Sequence, residues 1–255
     1  MKVVPLTSSL EDKFWSHVYK DLLDYYFFIF DWTHNREQTK IFLALSDSDE
    51  IAGMMLLYME RIVQLRGSPE AAKSLIENLC PVSVEVSAPI ECKNVLLDRL
   101  HKPTFVEEIF LLSLKKDQEH IAVSFEPQIL HKRDAKAVCE LMKQAYPEHW
   151  NDMTVDFLKE IFDETVWLGI KDGNRLAALG VAADYAIGHH IMFIATEAQY
   201  RNRGYATSIV STFTKQILER SETVSIFVSK NNGPAIRSYT KVGFRPYKEY
   251  LYIKT

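Results

Sequence analysis

The sequence has no apolar run long enough to cross a membrane as a helix. Its most apolar stretch near the start, residues 22–30, is interrupted by Asp24 and followed by Asp31, whereas a spanning helix needs about 20 apolar residues. The basic lead-in and small-residue cleavage site of a secretory leader are also missing. These absences predict a soluble intracellular protein that does not bind membranes.

Cysteine is scarce, with Cys80, Cys92 and Cys139 as the three examples in 255 residues. Their separations fit neither a metal site nor a CxxC pair. An odd number of cysteines without a leader is typical of reduced thiols in the cytoplasm. We therefore expect a cytoplasmic protein that holds no metal.

The chain also lacks a strong charge of one sign, because its formal net charge is −4. Such a balance creates no field that would attract nucleic acid, and the local pair Arg201 and Arg203 is too small for a phosphate-backbone track. Apolar residues make up 47% and charged residues 25%, which is a normal globular mixture. The length allows one large domain or two ordinary ones.

Two parts of the chain repeat each other at an offset of 125 residues. Residues 42–53 and 167–178 both show a short apolar strand, a polar turn and a second apolar strand, which predicts two hairpins. An Arg-Gly pair precedes a predicted helix in both halves, at Arg66-Gly67 and at Arg203-Gly204. The repeat predicts two related α/β domains, residues 1–118 and 122–255; chance recurrence is the alternative.

Hydrophobic periodicity predicts the elements of both halves. The first half is expected to open with a helix whose apolar face includes Phe14, Val18 and Leu22, and its aromatic residues at 25–32 are attributed to packing. The remaining expected elements are strands at 61–65, 82–86, 105–114, 123–130, 166–170, 175–185, 190–195, 223–228 and 244–253, and helices at 68–79, 93–100, 134–146, 154–162, 205–219 and 234–242.

The segment Arg201-Asn202-Arg203-Gly204-Tyr205-Ala206 joins a predicted strand to a predicted helix. A tight turn with glycine before a helix presents free backbone N–H groups, which suit a phosphate. An ordinary strand-to-helix turn is the alternative. The Arg66-Gly67 pair of the first half differs, because Pro69 comes two residues after Gly67 and proline removes one backbone N–H. The first half is therefore expected to lack a working anion site.

The spacing Arg-x-x-Gly-x-Ala resembles the pyrophosphate-binding signature of the GNAT N-acyltransferases. Residues 232–244, Asn-Gly-Pro-Ala-Ile-Arg-Ser-Tyr-Thr-Lys-Val-Gly-Phe, resemble the fourth-helix segment of the same superfamily. The resemblance is good over residues 122–255 and loose over 1–115. It implies an α/β fold with a mixed sheet, with the GNAT fold in the C-terminal half and a degenerate GNAT-like N-terminal half.

The resemblance also implies acetyl-CoA as the co-substrate. Amides from Asn202 to Thr207 would bind the diphosphate, exposed backbone groups of the preceding strand would bind the pantetheine arm, and the Thr196 amide would polarise the acyl carbonyl. Asn232 would bond the pantetheine, or cap its helix instead. The implied cofactor-binding residues are Ile194, Thr196, Arg201, Asn202, Arg203, Gly204, Tyr205, Ala206, Thr207 and Asn232.

Two catalytic residues follow from the same resemblance. Tyr239 would protonate the departing thiolate, with a packing role as its alternative. Counting back along the strand places His190 at the position of a base, although such a histidine is also typical of a hydrogen-bonded structural residue. Glu197, Tyr185 and ordered water are the other candidates for the base.

The expected function is transfer of an acyl group, acetyl in the first instance, from acyl-CoA to an unidentified primary amine. The amine would attack the thioester directly, without a covalent enzyme intermediate, in a monomer or homodimer. A non-catalytic acyl-CoA sensor and an aminoacyl transferase that uses charged tRNA are the alternatives. Nothing in the sequence identifies the acceptor.

Overall fold

The structure is a computed structural model that describes residues 1–77, 83–100, 102–163, 165–183 and 190–255. It divides into two compact units. The first contains Met1–Leu111, Ser229–Asn231 and Lys248–Thr255, and the second contains Leu112–Val228 and Asn232–Tyr247. The last strand of the chain thus contributes residues to both units, whereas the expected domain boundary left residues 122–255 in one domain.

The first unit is a mixed α/β structure. Its strands follow the order β1-β2-β3-β4-β5-β12, with β4 and β5 parallel and the other pairs antiparallel. The elements up to residue 115 are β1 Lys2–Pro5, α1 Glu11–Val18, α2 Tyr26–His34, β2 Thr39–Leu45, β3 Ile51–Tyr58, β4 Ile62–Gly67, α3 Pro69–Ile76, β5 Glu85–Pro89, α4 Lys93–Arg99 and β6 Phe105–Lys115.

The second unit has the same kind of architecture, with the strand order β6-β11-β10-β9-β8-β7. β10 and β11 are parallel, whereas β7, β8, β9 and β10 are antiparallel neighbours. Its elements are β7 Gln128–Ile129, α5 Ala135–Ala145, α6 Pro147–Trp150, α7 Val155–Ile161, β8 Thr165–Asp172, β9 Arg175–Ala183, β10 His190–Thr196, α8 Tyr205–Leu218, β11 Thr223–Ser229, α9 Gly233–Val242 and β12 Arg245–Lys254.

Elements follow one another in the same order in the two halves. Each half begins with a strand and two longer helices, which are followed by three antiparallel strands. A helix, a strand that pairs in parallel, a second helix and a final strand complete each half. The short helix α6 is the one described addition in the second half. This order agrees with the α/β fold class and with the repeated hairpins, β2–β3 and β8–β9.

Short-range signals set several helix boundaries. The Ser68 side chain caps α3 by accepting a hydrogen bond from Ala71 N at 3.2 Å, and Pro69 is the first helical residue. Gly243 ends α9 with φ +119°, a conformation that glycine adopts without steric cost. These interactions span four residues or fewer, so the sequence alone indicated them.

Apolar cores lie on defined faces of each sheet. In the first unit, alternate residues of β3 point to opposite sides: Met55 packs with α3 and α4, whereas Met54 and Leu56 pack with α1 and α2. In the second unit, α5 and α7 cover one face of β8 and β9. Phe28, Ile29 and Trp32 of the aromatic stretch are buried in the core, as the packing interpretation requires.

Two expected elements were wrong. The first half opens with the strand β1, not a helix. Residues 123–130 form a strand only at Gln128–Ile129. Earlier in this segment, the N–H groups of Ser124 and Phe125 donate to the Ser208 hydroxyl of α8, at 3.2 and 3.3 Å. A side chain of a helix thus takes donors that a neighbouring strand would have used.

Several predicted positions lie outside the described residues: Leu79, Cys80, Val82 and Tyr185. Among the helices that the structure describes, none is both long and apolar enough to span a bilayer.

Candidate functional site

The turn between β10 and α8 has an unusual backbone. Residues 201–207, here called the cradle, follow the end of β10 at Thr196 and include two left-handed residues, Asn202 with φ +62° and Gly204 with φ +90°. α8 begins directly after Gly204, at Tyr205. A Cβ built on Gly204 would meet no atom within 4 Å. Glycine is therefore favoured here by its backbone angle, and the space beside it is open among the described residues.

The N-terminus of α8 is left available by the chain. Ser208 N donates to Gly204 O at 3.0 Å, so the amides of Tyr205, Ala206 and Thr207 precede the first bond of the helix and have no intrahelical partner. The residue at the cap position, Gly204, has no side chain that could bond these amides, and the first turn of α8 has no acidic residue. The positive end of the helix dipole therefore remains open to an anion.

The corresponding turn of the first unit is closed. Ser68 caps α3, and Glu70 lies in its first turn with a pKa lowered by a hydrogen bond from its own backbone amide and by Ser68. A Cβ on Gly67 would lie 2.4 Å from Gly53 Cα. The chain thus satisfies this helix N-terminus with its own side chains and fills the space beside it, as expected for a degenerate copy.

Strands β10 and β11 pair over only a short length. Their described parallel pairs are His190 with Ser225 and Ile191 with Ile226, although β10 continues to Thr196 and β11 to Ser229. β10 stays paired with β9 to its end, with a bulge between Ile191 and Phe193. The two parallel strands therefore part after Ile191, which leaves the β11-facing edge of β10 open, directly before the cradle.

Ile194 and Thr196 lie on this opened part of β10. A Cβ on Gly180 would lie 2.7 Å from Ile194 Cδ1 and 2.6 Å from Ile209 Cγ2, so the Ile194 side chain packs towards α8. The buried Thr196 Oγ1 has no hydrogen-bond partner among the described residues. Such an orphaned polar atom at a strand opening fits a site that takes up a polar ligand.

Positive charge lies at the rim of the cradle. Arg201 and Arg203 are exposed; the Arg201 Nε donates to Thr196 O at 3.3 Å, and the Arg203 guanidinium lies 5.2 Å from the Tyr200 ring centroid. Tyr205 is buried against Phe125, with ring centroids 4.5 Å apart. Ala206 and Thr207 are half-buried, and Asn202 is exposed.

Asn232 acts as the cap of α9, because its Oδ1 accepts a hydrogen bond from Ala235 N at 3.2 Å. This is the alternative role that the sequence left open. Its backbone position, two residues before Pro234, fixes where α9 begins.

Tyr239 is buried in α9, with 5% of its surface exposed. Burial, and secondarily the nearby Tyr146, raise the pKa of its phenol above the usual value. The group therefore stays protonated at neutral pH, which is the state that a proton donor needs.

His190 is buried on β10, with 3% of its surface exposed. Its Nδ1 lies 3.0 Å from Ser225 Oγ, its ring lies 5.3 Å from that of Phe227, and burial lowers its pKa to about 3. This environment favours a packing role over that of a base. Glu197 accepts two hydrogen bonds from Arg175, one of them from Nε at 2.7 Å, so its carboxylate is already engaged in an ion pair.

Three aromatic residues that were not among the predicted site residues meet at β10: Phe193 on the strand, and Tyr146 and Trp150 against it. Trp150 and Tyr146 contact Phe193, with ring centroids 5.6 and 6.3 Å apart. The sequence signal was an aromatic pair around Pro147, but its contact with a residue more than 40 positions away required the fold.

Comparisons with known proteins identify the fold. Residues 167–253 match the family model described as FR47-like protein. A solved Drosophila protein is 14% identical with a TM-score of 0.71 and covers 99% of this chain and 97% of its own. A GCN5-related N-acetyltransferase from Sphaerobacter thermophilus is 16% identical, with a TM-score of 0.61 and coverage of 84% and 80%.

A tandem GNAT protein from the clavulanic acid biosynthesis pathway is 12% identical, with a TM-score of 0.54, and covers 85% of this chain and 82% of its own. No curated protein sequence matches the chain. These findings agree with the architecture described above: a mixed α/β fold of the GNAT type that occurs twice in one chain.

Proposed function

We propose that this chain, which has the GNAT fold in its C-terminal half and a degenerate copy in its N-terminal half, is an acyl-CoA-dependent N-acyltransferase. It would transfer an acyl group, acetyl in the first instance, to a primary amine. The observation that supports this best is the open N-terminus of α8 directly after the opened edge of β10. Together they offer a diphosphate site and a strand edge for an amide-bearing arm.

The residues present fit coenzyme A. Amides of Tyr205, Ala206 and Thr207 would hold the diphosphate, with Arg201 and Arg203 adding charge at the rim. The open backbone of Ile194 and Thr196 would bond the pantetheine amides as an added strand does. When bound, acyl-CoA supplies an activated acyl group as a thioester.

The proposed reaction needs two proton transfers, one to the departing thiolate and one from the attacking amine. The amine nitrogen forms a bond to the acyl carbon, the carbon–sulfur bond breaks, and the thiolate receives a proton from the Tyr239 phenol. The proton that the amine loses would pass to water, because the described candidates are buried at His190 or paired with Arg175 at Glu197. The Thr196 amide would donate to the developing oxyanion.

The test is thiol release from acetyl-CoA with a panel of primary amines. Tyr239→Phe should lower kcat about a hundredfold or more, the usual contribution of a general acid, and leave the Kd for coenzyme A unchanged. Tyr19→Phe is the matched control, because Tyr19 is 57% exposed and should behave as wild type.

Two other outcomes would contradict the proposed reaction. Binding of coenzyme A without thiol release for any amine would favour a sensor. Failure to bind coenzyme A at all would overturn the cofactor assignment.

A further inference from the structure

Tyr146, Trp150 and Phe193, here called the aromatic cluster, are not used by the reaction above. Phe193 is on β10, Trp150 is the last residue of α6, and Tyr146 directly precedes α6. The rings of Trp150 and Tyr146 meet that of Phe193 nearly at right angles, at 77° and 79°. All three residues are only half-buried, in contrast to core residues such as Val138 and Ala195.

The backbone around α6 fixes the positions of these rings. Residues that precede proline avoid the helical region, and Tyr146, before Pro147, has φ −147° and ψ 69°. α5 therefore ends at Ala145, and α6 restarts with Pro147 as its first residue. The Tyr146 carbonyl accepts hydrogen bonds from His149 N and Trp150 N, both at 3.1 Å. One tight turn thus places both rings against β10.

The cluster lies beside the reacting end of the proposed site. Phe193 follows the bulge where β10 parts from β11, and it precedes Ile194 on the same opened edge. Tyr146 also contributes, after burial, to the raised pKa of Tyr239. Phe193 and the two rings that contact it therefore lie beside the opened part of β10, next to the strand residues that we assign to the thioester-bearing arm.

Half-exposed rings offer apolar faces and edges, but few hydrogen-bonding groups. Flat apolar groups gain both buried area and edge-to-face contacts in such a place. A strongly hydroxylated or polycationic substrate would need polar partners, and Glu197, the carboxylate that directly follows β10, is paired with Arg175.

We propose that the aromatic cluster receives a flat aromatic group carried at the reacting end of one substrate. Two sources supply this chemistry: the acyl group of the thioester, or the group that carries the amine. The proposal rests on the proposed function, because it assigns a substrate class to the same site.

The experiment compares kcat/KM for matched substrate pairs by thiol release. One arm uses benzoyl-CoA against acetyl-CoA with butylamine, and the other uses 2-phenylethylamine against butylamine with acetyl-CoA. We expect a preference of about tenfold for the aromatic member in one arm, the size of a good ring contact. The arm in which it appears identifies the source.

Variants connect the preference to the cluster. Trp150→Ala should reduce it to about twofold or less, and Trp150→Phe, which keeps a ring, should retain most of it. Phe157→Ala is the matched control, because Phe157 is an aromatic residue of α7 with 45% exposure. Unchanged melting temperatures would show that the variants fold.

Calorimetric titrations make the outcome independent of turnover. Benzoyl-CoA should bind more tightly than acetyl-CoA, or 2-phenylethylamine should bind the protein loaded with coenzyme A, and Trp150→Ala should remove that effect.

The inference is overturned if both arms show no preference and no aromatic probe binds better, or if Trp150→Ala affects aromatic and aliphatic members equally. If thiol release with aliphatic amines persists in that case, only the aromatic assignment fails. If coenzyme A does not bind at all, the proposed function fails with it.

Discussion

Replacing Ala206 by glutamate should convert the N-terminus of α8 into a copy of that of α3. α3 begins at Pro69 and has Glu70 as its second helical residue, whereas α8 begins at Tyr205 and has Ala206 at that position. In α3, the Glu70 carboxylate accepts a hydrogen bond from its own amide. A carboxylate at position 206 would occupy the same donors that we assign to a diphosphate.

The substitution should act in opposite directions on stability and on binding. An acidic residue in the first turn stabilises a helix by about 0.3 to 1 kcal/mol, which corresponds to a rise in Tm of about 1 to 4 °C for a protein of this size. A unit negative charge about 5 Å from one charge of the diphosphate costs about 1 to 3 kcal/mol, depending on the effective dielectric constant. The Kd for coenzyme A should then rise about five- to 150-fold.

Calorimetric titration with coenzyme A and thermal unfolding measure the two effects. Ala206→Gln is the matched control, since it adds nearly the same volume without the charge. The difference in Kd between the two variants isolates the electrostatic part, which should shrink at high salt.

The reasoning would be refuted if Ala206→Glu bound coenzyme A as tightly as wild type does. Equal weakening by the glutamate and glutamine variants, independent of salt, would show that bulk matters and charge does not. A glutamate variant that is less stable than the glutamine variant would contradict the open state of the helix N-terminus.

Two further predictions concern buried groups. Arg66→Ala should lower the free energy of unfolding by about 3 kcal/mol, because the buried Arg66 guanidinium pairs with Asp24 and covers the Tyr250 ring. Its removal takes a positive partner from the buried Asp24 carboxylate. The control Arg61→Ala, at an exposed ion pair, should lower the free energy of unfolding by less than about 1 kcal/mol, as measured by denaturant titration. For His190, the folded pKa of about 3 lies below the unfolded value, so the unfolded chain binds the extra proton as the pH falls below about 6.5. Between pH 7 and pH 5, wild type should therefore lose about 2 kcal/mol more stability than His190→Gln, and equal losses would show that folding does not lower the pKa of this histidine.

Much of the local structure could be predicted from the sequence. The caps at Ser68 and Asn232, the glycine that ends α9 and the two hairpins depend on contacts between residues close in the chain. The turn at Gly204 could also be predicted, because a glycine directly before an amphipathic helix is a local pattern. The mixed α/β class with two similar halves followed from repetition of those patterns.

The secondary-structure predictions were wrong where groups distant in the sequence bind the backbone N–H and C=O groups. The expected strand at 123–130 is absent where Ser208, more than 80 residues away, accepts the N–H groups of Ser124 and Phe125. The strand β1 was missed because four residues carry little periodicity, and its pairing with β2 depends on residues about 40 positions away.

By itself the sequence determined where most strands and helices and the glycine turn before α8 begin, since backbone angles and caps are decided within a few residues. The tertiary structure decided what those elements are available for. It buried His190 beside Ser225, separated β10 from β11 after two pairs, closed the N-terminus of α3 and left that of α8 open, and brought Phe193 to Tyr146 and Trp150. Burial and neighbours across the sheet change a group's charge and access, and residue type does not reveal them.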